Sequence, residues 1–289
     1  MNAADIGRRL QRTPRVRRAA KWVYVRWRAL LGVGYAGRII EGGPLKGHWL
    51  YAGRRTPYSR RFWDGSYERE LLELIGRIVT PDDVVYDVGA NIGYHTLQFA
   101  TAASSGTVYA FEPLASARKT LERNVAVNGA RNIVVVDRAV AGRSGDVLLG
   151  RTSHYDQAAI DWAGAGNVTI RCPATSLDDF VAAGHPPPTV VKIDVEGAEV
   201  EVLSGSKRCL ERYRPLVICE THGDQPARDV FAILTRHGYA LFKVAAGVHR
   251  VGSAADMPSS MTDGHALGVH PEAMRPRPIA GPLAEGTAR

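Results

Sequence analysis

Two groups of residues stand out for the chemistry their types and spacing allow. The first is "DVGANIGYHT" (Asp87–Thr96), directly after the apolar run Val84-Val85-Tyr86. Asp87 closes the run, Gly89 and Gly93 stand four apart, and Asn91 lies between them. Glycines carry no Cβ, so backbone and ligand can approach closely there. The start of the helix that follows offers free N–H groups. Glu112 ends the next apolar run, "VYAFEP", 25 residues after Asp87. An acid at that strand end is placed to accept hydrogen bonds from ribose hydroxyls. Together these residues imply an adenosine-type cofactor. The G-x-G-x-x-G spacing that seats a pyrophosphate is absent, and so is a P-loop. An acid in the turn repels phosphate but suits an ammonium group. S-adenosylmethionine has an ammonium, a sulfonium and no phosphate, so it fits better than NAD. The bland alternative is a tight turn with packing glycines.

The second group lies in "VVKIDVEGAE" and "CETH". Lys192 and Asp194 share one strand face by the period of two. Asp194 falls at the strand's C-terminal end, Glu196 in the turn, and Glu199 one helical turn on, where it is expected to face solvent or to pair with Lys192 or an Arg. Glu220 and His222 come to the end of a neighbouring strand. Methyl transfer from a sulfonium needs an aligned acceptor and exclusion of water. A hydroxyl is a weak nucleophile, so a base or a metal must help. Asp194 or His222 is the expected base, and Glu196 the group that orients the acceptor. The competing role for Asp194 and Glu196 is capping of helix N–H groups. Asp194, Glu220 and His222 are also the candidate ligands for Mg²⁺ or Mn²⁺. No spacing motif enforces that set, and a divalent metal is not the favoured reading.

The elements that must position these residues alternate. "VVYDV", "GTVYAFEP", "NIVVVDRAV", "PTVVKIDVEG", "RPLVICETHG" and "YALFKV" read as strands, separated by helical patterns such as "ASARKTLERNVAVNG" and "ARDVFAILTRHG". Apolar runs of this kind argue for a mostly parallel sheet covered on both faces, a doubly wound α/β domain. "SYERELLELIGRIV" upstream reads as an amphipathic helix with Ser66 as its cap. Between residues 142 and 178 the alternation breaks. "GDVLLGR" and "NVTIRCPA" form a small antiparallel pair around the loop His154–Gly166, where substrate choice is expected. "TSLDDFVAA" then restarts a helix from Thr175 or Ser176.

Charge divides the 289-residue chain. Residues 1–61 carry a net +13 and the remainder −5. The organisation follows: a basic N-terminal segment (1–61), a main domain (62–251), and a Gly-, Pro- and Ala-rich tail (252–289) expected to be poorly ordered. A nucleic-acid enzyme more often lines its cleft with positive charge, so no nucleic-acid partner is expected. "VRRAAKWVYVRWRALLGV" (residues 16–33) is too charged for a signal peptide and too short to span a bilayer. It reads either as a helix packed on the body or as one lying on an anionic membrane surface. Three cysteines without C-x-x-C spacing fit reduced thiols, and with them a cytoplasmic protein, peripheral at the inner membrane surface on the second of those readings.

The runs "VVYDVGANIGYHTLQFA", "VYAFEP", "TSLDDF", "VVKIDVEGAEVEVLSG" and "VICETHG", in this order and spacing, resemble the FkbM family of methyltransferases. The resemblance covers roughly residues 62 to 243, and "KIDVEGAE" is its most specific piece. It implies a class I, Rossmann-like fold: a doubly wound, mostly parallel seven-stranded sheet carrying the small antiparallel insert. It also implies S-adenosylmethionine as cofactor and O-methylation of a hydroxyl on a sugar, glycolipid or secondary metabolite. Carried over by residue, Asp87, Gly89, Asn91 and Gly93 form the cofactor turn and Glu112 the ribose contact. Asp137, Arg138 and Ala139 then lie near the adenine. The rival readings are an NAD-dependent sugar-modifying enzyme and a non-catalytic binding module on the same fold. The acceptor's class stays open among small molecules, glycans and lipid-linked sugars.

Overall fold

The computed structural model describes residues 37–52, 59–151, 158–160, 169–260 and 263–273. The basic stretch 16–33, with its membrane-surface reading, lies outside the described residues. So does the loop 154–166, except for Ala158–Ile160. A short antiparallel ribbon, β1 (Arg38–Ile39) and β2 (Trp49–Leu50), opens the described chain. α1 (Ser59–Asp64) and α2 (Arg69–Ile78) follow. The apolar side read for α2 is the side that is buried: Leu71, Leu72, Leu74, Ile75 and Ile78. Its start differs from the expected Ser66 cap. The Ser66 amide donates to Arg61 and to the Asp64 carboxylate, while Glu68 takes the cap position at φ 42° with no side-chain cap bond. The Glu68 side chain therefore turns inward.

The alternating runs then fold as read. β3 (Val84–Val88), α3 (Tyr94–Ala102), β4 (Thr107–Phe111), α4 (Ala115–Asn128) and β5 (Ile133–Val136) form the first half. The expected strand "NIVVVDRAV" breaks at Asp137-Arg138. Its last residues form β6 (Ala139–Val140), which pairs in a different sheet. That sheet also holds β7 (Gly145–Arg151), β8 (Ala158–Ile160) and β9 (Thr169–Thr175), in the order β6-β9-β7-β8. The expected antiparallel pair is real, as β7 against β9, but it is the centre of four strands. α5 (Leu177–Ala182) is capped by Ser176, whose hydroxyl accepts from the Asp179 amide at 3.0 Å.

The second half runs through β10 (Val190–Ile193), α6 (Glu199–Ser204), a π-turn at Cys209–Tyr213, β11 (Leu216–Cys219), α7 (Asp224–Arg236), β12 (Ala240–Val244), β13 (Val248–Arg250) and β14 (His265–Val269). The main sheet has eight strands, ordered β13-β12-β14-β11-β10-β3-β4-β5. Strands from β11 to β5 pair in parallel, and β14 lies antiparallel between β11 and β12. Seven strands were expected. β13 adds an edge strand that the sequence reading did not contain.

β14 corrects the reading of residues 252–289 as a disordered tail over its described part, residues 252–260 and 263–273. β14 comes from that segment, and Ala266 and Leu267 are fully buried. The approach to it is tied down as well: the Thr221 hydroxyl donates to the Pro258 carbonyl, and the Gly223 amide to Ser259 at 2.8 Å. Gly, Pro and Ser in this stretch serve turns between bonded positions, which composition cannot distinguish from disorder. Apolar side chains fill both faces of the sheet. Tyr86, Phe111, Phe180 and Val191 pack on one, and Leu71, Ile75, Phe99 and Val190 on the other. This is the doubly wound arrangement. Its strand order reverses between β3 and β10, the crevice where such sheets hold ligands.

Candidate active site

At the C-terminal ends of β3, β10 and β11 the chain leaves the sheet at Gly89, Asp194 and Glu220, and these three residues border one crevice. Gly89 has φ 81°, and a Cβ there would stand 1.8 Å from the Asp194 carbonyl oxygen. Only glycine permits this close crossing of the two loops. Asn91, also left-handed at φ 49°, donates its amide to Glu112 Oε2 at 2.8 Å. Glu112 Oε1 accepts from the Leu114 amide at 2.8 Å. Burial pushes Glu112 up to about 7, against the pull of those two amides. Asn91 Oδ1 is buried in the crevice wall with no hydrogen bond.

The expected cofactor residues therefore separate into two sets. Gly89, Asn91, Glu112 and Ala139 border the crevice, with Arg138 beside them. Asp87, Gly93 and Asp137 do not. Asp87 is fully buried beneath the turn, where Oδ2 accepts from the Thr96 hydroxyl at 2.6 Å and Oδ1 lies 3.8 Å from Lys192 Nζ. It braces the turn from beneath, with Lys192 beside it, and does not itself border the crevice. Gly93 gives α3 its left-handed start, and a Cβ there would strike Leu121. Asp137 points outward to Arg118, 2.6 Å away.

On the opposite wall, Asp194 Oδ2 receives Lys192 Nζ at 3.0 Å. Burial raises Asp194 above the usual carboxylate range, with Lys192 pulling the other way and the Glu220 and Glu68 charges adding to the rise. Glu196 sits in the crevice at φ 53°, and burial raises it too. Glu199, expected near solvent or on a basic side chain, is instead fully buried. Its Oε1 accepts from the Gly197 amide at 2.9 Å and meets His222 Nδ1 at 2.7 Å. His222 Nε2 faces Glu196 at 3.4 Å and Glu220 at 3.5 Å. Burial would lower the His222 pKa, but its bonds to Glu199 and Glu220 prevail and lift it to about 11. Carboxylates face both of its nitrogens and favour the imidazolium, which leaves Asp194 the better placed of the two expected bases. Asp194, Glu220 and His222, the candidate metal set, do converge, with donor atoms within 4.8 Å of one another.

Four residues at this site were not anticipated. Tyr67 borders the crevice. Glu68, His95 and His265 form a buried cluster behind it, with His95 Nε2 2.8 Å from Glu68 Oε2. His95 lies in the quoted turn "DVGANIGYHT" and Tyr67 and Glu68 at the start of the α2 run, but no role was read for any of them. Only His265 carried a signal, as the lone polar side chain leading the apolar run "HALGV".

Residues 87–241 match the Methyltransferase FkbM domain. The chain is 32% identical over 190 residues to "Hexuronic acid methyltransferase AglP" of Haloferax volcanii, covering 64% of this chain and 77% of that protein. It is 31% identical over 216 residues to "31-O-demethyl-FK506 methyltransferase FkbM" of Streptomyces tacrolimicus, covering 64% and 81%. A crystal structure of Methyltransferase FkbM from Methylobacillus flagellatus aligns at TM-score 0.44 and 18% identity over 75% of this chain and 48% of that one. With the domain matched across the turn, the ribose acid and the "KIDVEGAE" loop, the NAD-dependent and non-catalytic readings fall away: the chain belongs to the FkbM family and is a methyltransferase.

Proposed function

We propose that this methyltransferase takes its methyl group from S-adenosylmethionine and delivers it to a hydroxyl of a sugar or sugar-bearing small molecule. The carrying observation is the crevice itself: an acid and an orphaned amide oxygen on one wall, a buried carboxylate on the other. Glu112 and Asn91 Oδ1 are hydrogen-bond acceptors suited to a cofactor rich in hydroxyl and ammonium donors. Gly89 lets the β10 loop cross close against the turn at the crevice, and Ala139 and Val140 supply an apolar wall. S-adenosylmethionine, when bound, supplies a methyl group on a sulfonium, an electrophile open to in-line attack.

The chain's own residues do the rest. Asp194 stands at the end of β10, on the crevice, to accept the hydroxyl proton. Lys192 holds that carboxylate in place from beneath. Glu196 orients the acceptor, and His222, clamped by Glu199, holds Glu196 and Glu220 in position. The proximity of Asp194, Glu196 and Glu220 favours a neutral acceptor over an anionic one. The hydroxyl acceptor is supported by the 31-O-demethyl-FK506 specificity in the name of one relative; the hexuronic acid named for the other supports a sugar and offers a carboxyl as well as hydroxyls.

Calorimetric titration with S-adenosylhomocysteine, and separately with NAD⁺, tests the reading. Binding of the former alone, weakened in Asn91→Ala and Glu112→Ala, is the expected result. A folded protein that binds NAD⁺ and not S-adenosylhomocysteine overturns it.

A further inference from the structure

Behind the crevice wall, three side chains from distant parts of the chain bring donor atoms together. Glu68 precedes α2, Glu220 follows β11, and His265 opens β14. His265 Nε2 lies 3.5 Å from Glu68 Oε2 and 3.5 Å from Glu220 Oε2. All three donors fall within 4.8 Å of one another. Glu220 is 3% and His265 4% exposed. His265 Nε2 and the second Glu220 oxygen, Oε1, are buried and make no hydrogen bond, while Glu68 Oε2 has His95 Nε2 at 2.8 Å.

Each such orphaned atom costs about 1–3 kcal/mol in a fold with nothing to satisfy it. The separations say what would. A hydrogen bond from a ring N–H spans roughly 2.7–3.2 Å, and these contacts are longer. Ligands about 2.1 Å from a tetrahedral ion stand roughly 3.4 Å from one another, which these contacts match. Two carboxylates, one imidazole and no sulfur suit a divalent first-row ion such as Zn²⁺, Mn²⁺ or Fe²⁺. Among the described residues, the cationic partners of Glu68 and Glu220 are histidines; no Lys or Arg forms an ion pair with either. His95 Nε2 stands 2.8 Å from the same Glu68 oxygen, Oε2, that faces His265, and holds it in place as outer-shell groups hold ligands. The neighbouring set of Asp194, Glu220 and His222 is less suited, because Lys192 already sits on Asp194 and Glu199 on His222.

We propose that Glu68, Glu220 and His265 bind one divalent transition-metal ion in the wall of the crevice. Glu68 and His265 both lie outside the matched domain, residues 87–241. The ion ties the upstream helix and the last strand of the sheet to Glu220 at the active site.

The test uses the full-length protein, stripped with chelator and titrated with Co²⁺ by calorimetry and visible absorption, then with Zn²⁺ in competition. One ion per chain is expected, with the absorption bands of a nitrogen- and oxygen-ligated Co²⁺. His265→Ala and Glu68→Gln should each weaken binding by more than about tenfold, with a smaller loss in His222→Ala, which removes a contact to Glu220 but no ligand. If His265→Ala does not fold, the isosteric Glu68→Gln and the wild-type stoichiometry decide. Absence of saturable binding to the folded wild type overturns the proposal. Loss of binding in His222→Ala with retention in Glu68→Gln or His265→Ala overturns it equally. No methyl donor or acceptor enters the measurement, so its outcome is separate from that of the methyl-transfer reading.

Discussion

Gly89 shows how little freedom single positions have at the crevice. A methyl group at Gly89 would collide with the Asp194 carbonyl, and φ 81° is itself costly for any other residue. Gly89→Ala should lose roughly 2–4 kcal/mol of stability, read as a lower denaturation midpoint; an unchanged midpoint would mean that the loops do not cross as described. Glu112 makes a second prediction, from its pKa of about 7 against an ordinary 4.5. A carboxyl raised in the fold contributes stability that is complete below 4.5 and is lost as pH rises through about 7. Denaturation at a series of pH values should show that decline in the wild type and a flatter curve in Glu112→Gln. Asp194→Asn should cut turnover by about 10²–10⁴ while leaving affinity for S-adenosylhomocysteine in place; near-normal turnover would remove Asp194 as the base. The sequence placed Gly89, Glu112 and Asp194 at strand ends, and strand ends are where they are. It could not show that Asp87 is buried beneath the turn beside Lys192, because that depends on another strand and strand pairing has no signature in local spacing.

At the scale of elements, β14 carries the clearest lesson. Five residues, "HALGV", sit in a stretch whose Gly, Pro and Ser content reads as disorder. Yet Leu267 is fully buried and pairs with both Ile218 and Phe242. Leu267→Ala should cost about 2–5 kcal/mol, measurable by thermal or chemical denaturation. A cost near zero would show the strand to be dispensable. Strands and helices between residues 84 and 244 were legible because each buries a periodic apolar face of its own. β6 and β13 were not legible: each is too short to show a period, and each exists because a neighbour offers an edge. Glu68 and His265 escaped for a related reason, since what joins them is the closing of the sheet.

The whole molecule is electrostatically divided, with a net +13 on residues 1–61 and −5 on the rest. Attraction of that basic segment to an anionic surface would be screened within about 10 Å at moderate salt. Full-length protein should therefore co-sediment with vesicles containing anionic lipid, release as salt is raised, and ignore neutral vesicles. Equal binding to both kinds would point away from charge as the cause. The main sheet imposes a different kind of order, in time. The strand that lies between β11 and β12 is encoded after both of them. As the chain emerges during synthesis, the hairpin of β12 and β13 cannot join the rest of the sheet until residue 269 is free. For that interval β11 shows a bare strand edge, the kind of surface that invites pairing with another chain. Native assembly of this half of the enzyme therefore waits on β14, and its exposure to mispairing is set by the time needed to translate the stretch from β11 to β14.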